Sequence, residues 1–137
     1  MKTDSNYLFS VVVPVYNEEL VIGKFVERAQ AVLKQLGCQY ELIFVNDGSK
    51  DKTLALLKEE KKRRPNIKIL SLSRNFGHQA ALTAGTDYAK GDAVVIIDSD
   101  LQDPPELIPE LVQKWREGFD IVDAKRKRRI GETIFKT

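Results

Sequence analysis

The chain has 137 residues, room for one domain with a real core but not comfortably for two. Hydrophobic residues make up 42% and charged residues 31%, the balance of a soluble globular protein and not of a disordered one. The net charge of +2 is too mild to imply nucleic acid, and Cys38, the only cysteine, excludes an internal disulfide and suits a reducing compartment.

The apolar, β-rich run 9–13 predicts a first strand, stopped by Pro14. Val21, Ile22, Phe25, Val26, Ala29, Val32, Leu33 and Leu36 then recur at helical spacing, and Gly37 is a natural C-cap. Residues 41–45 predict a second strand. Asn46-Asp47-Gly48-Ser49 is a turn cluster, with Ser49 or Asp51 available to cap a helix over 53–64. Residues 67–72 read as a third strand, and the Ala-rich segment 78–89 as a helix packed closely on the sheet. The run 93–97, β-branched from Val94 to Ile97, predicts a strand buried on both faces. Pro104-Pro105 opens a helix over 106–116, Gly118 ends it, and 120–124 is a short fifth strand. Alternating strands and helices predict an α/β fold with a doubly wound, mostly parallel sheet. Residues 1–6 carry no signal-peptide apolar region, and no run reaches the ~18–20 apolar residues of a spanning helix, so the chain reads as soluble.

Chemistry concentrates where strands end. Asp98-Ser99-Asp100 directly follows the fourth strand, at the edge where open α/β sheets bind ligands. Residues at i and i+2 of an extended segment project the same way, so Asp98 and Asp100 can converge on one hard cation carrying a diphosphate. Parallel strands bring the clusters 14–18 and 46–49 to that same edge. Tyr16 there can stack on a base, and Asp47 can accept from a ring N–H or a ribose hydroxyl.

Four motifs run in order along the chain: Val-Pro-Val-Tyr-Asn-Glu (13–18), Val-Asn-Asp-Gly-Ser (45–49), Ser-Arg-Asn-Phe-Gly-His-Gln-Ala-Ala (73–81) and Asp-Ser-Asp-Leu-Gln-Asp-Pro-Pro-Glu (98–106). Through them the chain resembles the family 2 glycosyltransferases of the nucleotide-diphospho-sugar (GT-A) fold. Within that family it is most similar to the polyprenyl-phosphate sugar transferases, the dolichol-phosphate mannose synthase and bactoprenol glucosyltransferase group. The resemblance implies that Pro14, Tyr16, Asn17, Glu18, Val45, Asp47, Asn75 and Asp98 bind the nucleotide. It also implies that Asp98, Asp100 and Gln102 hold Mg²⁺ or Mn²⁺, and that Arg126 and Arg129 grip phosphate, making Asp98, Asp100, Arg126 and Arg129 the catalytic set. Asp123 stands where relatives often carry an aromatic residue.

The implied reaction moves a sugar from a nucleotide-diphosphate sugar, UDP-linked in preference to GDP-linked, to a polyprenyl phosphate with inversion in one displacement. A lipid phosphate, with a second pKa of about 6, needs little help from a base. The implied location is cytoplasmic, at the inner face of the membrane, with a membrane surface as partner of the full-length relative and no nucleic acid. Residues 1–137 form one donor-binding domain that lacks its acceptor half, and the basic end, 125–137, is expected to be mobile or held by a partner copy. A donor-binding fragment without turnover and a transferase with a saccharide acceptor are the alternatives.

Other readings fit less well. His78 has no partner ligand for a metal and reads as structural or pocket-lining. The run 125–129 follows a strand end and reads as a phosphate or anionic-membrane clamp, while 58–64 is a solvated helix face. Sugar nucleotidyltransferases need glycines after the first strand, where residues 14–18 have none. A receiver domain needs an acidic pair there, and no dinucleotide or P-loop fingerprint is present.

Overall fold

Leu8–Val15 forms β1, Ile22–Lys34 forms α1, and Gln39–Asn46 forms β2. Thr53–Arg63 follows as α2, Ile67–Ser71 as β3, His78–Tyr88 as α3 and Ala93–Ile96 as β4. After a single 3-10 turn, Pro105–Leu107, come α4 (Ile108–Arg116) and β5 (Ile121–Asp123). These elements come from a computed structural model, which describes residues 7–99, 104–118 and 121–123. All strand pairs are parallel, in the order β3-β2-β1-β4-β5. The α/β alternation expected from the apolar pattern is therefore realised.

Alternation along β1 separates two cores, because successive side chains leave a strand on opposite faces. Phe9, Val11, Val13 and Val15 face one way, into a cluster with Leu42 and Phe44 of β2, Phe25, Val26 and Leu33 of α1, and Leu111 and Trp115 of α4. Tyr7, Phe9 and Trp115 pack edge-to-face there, with ring centroids 4.6–5.0 Å apart. Val12, Ile43 and Val45 face the other way, onto Ala81 of α3. A Cβ added at Gly85 would lie 2.4 Å from Val12 Cγ1 and 2.9 Å from Val45 Cγ2. The glycine thus lets α3 lie close on β1 and β2, as the small-residue composition of that helix implied.

Two expectations are corrected, and the packing of α4 adds a feature that the sequence did not suggest. Pro14 does not stop β1 but lies inside it, opposite Val45. Even-numbered residues of β1 hydrogen-bond toward β4, since Val12 O accepts Ile97 N–H at 3.1 Å, whereas Val15 O accepts Asp47 N–H on the β2 side at 2.9 Å. The β1–β4 ladder ends at Val12↔Ile96, so no ladder bond is missed at the proline. Strand β4 is buried only at Ala93 and Val95, as is Ile97 just after it; Val94 and Ile96 are half-buried. Finally, α4 packs on the face of α1 and not on that of α3. The β4–α4–β5 crossover therefore has the opposite hand to the other three, an uncommon arrangement in parallel sheets. The Arg28 guanidinium of α1, hydrogen-bonded through Nε and Nη2 to the carboxylate of Glu106, ties the 3-10 turn ahead of α4 to that side.

Candidate functional site

Strand order reverses between β1 and β4, so the chain leaves their carboxyl ends toward opposite faces and opens a crevice there. A cleft of about 340 Å³ occupies this position. Pro14, Val15, Tyr16 and Glu18 line it from the end of β1, Asp47 from the end of β2, and Asp98 and Ser99 from the end of β4. Asn75, Gly77, His78 and Ala81 supply the wall at the start of α3. The structure thus gathers at one place six of the eight residues assigned to the nucleotide.

The other two lie apart from the cleft. Asn17 sits in the left-handed region (φ 52) and spends its polar groups on the neighbouring loop. Its N–H donates to Ser49 Oγ (2.9 Å) and its Oδ1 accepts Lys50 N–H (2.9 Å). Val45 is fully buried beneath α3 and belongs to the core.

The β1–α1 and β2–α2 loops are cross-bonded throughout. Thr53 Oγ1 accepts Glu18 N–H at 2.8 Å, Asp51 Oδ2 accepts Glu19 N–H at 3.2 Å, and Glu19 Oε1 accepts Lys52 N–H at 2.8 Å. Of the two candidate caps for α2, Asp51 does that work, accepting Thr53 N–H at 2.9 Å. Burial pushes the Asp51 carboxyl pKa up, but the bonds from Thr53 and Glu19 outweigh it and hold the group below its ordinary value. Tyr16, at the tip of this clamp, stays 42% exposed, a face open for stacking.

Asp47 is buried, and its carboxylate reaches across to the segment ahead of α3. Oδ1 accepts Phe76 N–H at 2.8 Å and Oδ2 accepts Gly77 N–H at 3.0 Å. Next to it, Gly48 (φ +74) lets this segment pass: a Cβ would stand 2.3 Å from Arg74 C and 2.4 Å from Asn75 N. The glycine of the 45–49 motif is therefore there for close approach as well as for the turn. A carboxylate has about four acceptor positions, so Asp47 keeps capacity for a ligand.

Asp98 enters the cleft half-buried, directly after Ile97. Its oxygens suit a hard divalent ion, which takes few protein ligands when substrate phosphates supply the rest. Among the described residues no three His, Cys, Asp or Glu side chains cluster for a metal. Asp100, Gln102, Arg126 and Arg129 lie outside the described residues, as does the basic segment 125–137. One feature escaped the sequence reading. Glu106, the last residue of the 98–106 motif, serves the Arg28 pair; its carboxyl pKa is lowered chiefly by that hydrogen bond. His78, read from the sequence as structural or pocket-lining, lines the cleft.

A parallel sheet with a polar cleft at its switch point, walled by carboxylates and one open aromatic ring, is the architecture of nucleotide-type α/β ligand-binding domains. The chain belongs to glycosyl transferase family 2, whose family model matches residues 10–137. It is 57% identical over 128 residues to YkcC of Bacillus subtilis, described as an uncharacterized glycosyltransferase, covering 93% of this chain and 40% of that protein. It is 47% identical to the bactoprenol glucosyl transferase of Shigella phage SfV (88% and 39% covered). To the undecaprenyl-phosphate 4-deoxy-4-formamido-L-arabinose transferase of Proteus mirabilis it is 44% identical (93% and 40%). The chain thus spans about 40% of the length of these curated relatives. Among solved structures, a Pyrobaculum calidifontis mannosyltransferase in complex with GDP-Man and Mn²⁺ superposes with a TM-score of 0.66 at 23% identity, covering 80% of this chain and 32% of that one. Staphylococcus aureus TarS 1-349 in complex with UDP-GlcNAc gives 0.63 at 28% identity (80% and 31%). The fold is that of the GT-A glycosyltransferases.

Proposed function

We propose that this chain is the donor-binding part of an inverting, metal-dependent glycosyltransferase that moves a sugar from a nucleoside diphosphate to a polyprenyl phosphate. The observation that carries the reading is the switch-point cleft, where Asp98 shares one cavity with Tyr16, Asp47 and Asn75. Relatives named for bactoprenol and undecaprenyl phosphate support the lipid acceptor, and neighbours holding GDP-Man and UDP-GlcNAc support the nucleotide sugar. UDP is the favoured nucleotide, and the enzyme would work on the cytoplasmic face of the membrane. Among the described residues no helix is long and apolar enough to cross a membrane.

In this reading the Tyr16 ring stacks on the base, and Asp47 and Asn75 select it by hydrogen bonds. Asp98, with Asp100 and Gln102, would hold Mg²⁺ or Mn²⁺, which when bound neutralises charge on the diphosphate as the sugar departs. Arg126 and Arg129 add positive charge at the leaving phosphate. The acceptor phosphate, already ionised, attacks without a protein base.

Isothermal titration with UDP and GDP, each with and without Mn²⁺, tests the reading. Metal-dependent binding of UDP tighter than of GDP is expected. Absence of any nucleoside diphosphate binding would sink it.

A further inference from the structure

Asn75, Gly77, His78 and Ala81 of the 73–81 motif line the cleft, and the proposed function uses only Asn75. The motif's other cleft residue with polar chemistry is His78, the first residue of α3. Among the described lining residues three carry carboxylates, Glu18, Asp47 and Asp98, and only His78 can carry positive charge. A nucleoside diphosphate brings still more negative charge to that wall. Like charges that share a cleft repel, so an N–H donor or a cation facing the phosphates is favoured here. Arg74, from the same segment, is turned onto the Phe76 ring, 4.8 Å from its centroid, and does not line the cleft.

The backbone around His78 is held for this purpose. The Asp47 carboxylate grips Phe76 N–H and Gly77 N–H, the two residues ahead of it. Gly85 presses the same helix onto β1 and β2. The His78 side chain itself is exposed, so the fold gains little from it.

We infer that His78 is a phosphate-contacting residue of this cleft, its imidazole donating to an oxygen of the donor diphosphate, with Asp47 as the positioning residue that presents it. The inference rests on the nucleotide-binding reading above and names a contact within it. His78 is the sole histidine of the chain, so an untagged sample has one imidazole signal to follow by NMR.

The test titrates UDP, UMP and uridine in the presence of Mg²⁺ into the unaltered chain, His78→Ala and His78→Gln. The imidazole resonance should shift with UDP, less with UMP and not with uridine. His78→Ala should weaken UDP about tenfold with uridine affinity unchanged and an unaltered thermal melt, and His78→Gln, which keeps an N–H donor, should recover part of the loss. An equal loss for uridine and UDP would place the residue against base or ribose and overturn the inference. So would full UDP affinity in His78→Ala. Failure of the unaltered chain to bind UDP is a separate result, which removes the nucleotide reading itself.

Discussion

Asp47 serves the segment ahead of α3 and, in the proposed function, the base with one carboxylate. Exchange of Asp47 for Asn keeps the shape but turns an N–H donor toward the backbone N–H of Phe76 or Gly77. The melting temperature should fall, and affinity for UDP should drop by roughly 1–3 kcal/mol, the scale of an unsatisfied buried polar group. A lower melt with unchanged affinity would reduce Asp47 to a loop anchor. Asp100→Ala tests the proposed metal ligand. Metal-dependent UDP affinity should vanish while the fold persists, because the residue follows a strand end and not a core position. Titration calorimetry with and without Mn²⁺ decides it, and equal affinity for the nucleotide–metal complex would end the ligand role.

Loops carry the site, and their stiffness comes from a few side chains. Asp51→Ala removes the acceptor for Thr53 and Glu19 N–H and should destabilise the chain by about 1 kcal/mol in a denaturant melt, as for other lost helix caps. Gly48→Ala should cost more and also weaken UDP, since a methyl group there meets the Arg74–Asn75 backbone. The Asp51 and Glu106 carboxyls have pKa values below their ordinary 3.8 and 4.5. Groups shifted down stabilise the fold above the unfolded pKa and lose that contribution as pH falls through the folded one. Thermal melts should therefore fall steeply on acidification below about pH 4, and less steeply in Asp51→Asn/Glu106→Gln than in the unaltered chain. Parallel curves for the two proteins would show that other carboxylates set the acid limit.

At the scale of the whole molecule, the chain spans about 40% of its curated relatives, and its described residues form the switch-point cleft. Nucleotide binding and sugar transfer should therefore separate. The purified 137-residue chain should bind UDP, whereas transfer of glucose from UDP-glucose to polyprenyl phosphate should be absent or very slow. Robust transfer in a radiolabel assay would require an acceptor site within these residues. Among the described residues, α1, α2 and α4 lie on one face of the sheet and α3 on the other. Half-buried Val94 and Ile96 lie on the less covered face.

Period and punctuation were enough to read the alternation of strands and helices, and the strand-end clusters Tyr16, Asp47 and Asp98, because buried parallel strands are apolar runs and their polar ends must follow directly. The local capping role of Asp51 was equally open to view, being a matter of two residues. Other facts depend on contacts between segments distant in the chain, which no local pattern encodes. Pro14 is tolerated within β1 only because the β4 ladder has already ended beside it. Asn17 and Val45 do not line the cleft because one meets a second loop and the other a helix thirty-odd positions on. Glu106 turns from motif residue to anchor only once Arg28 is brought to it, and the hand of the last crossover follows from that packing. His78 read from the sequence only as structural or pocket-lining; the tertiary structure is what puts it in one cleft with Glu18, Asp47 and Asp98.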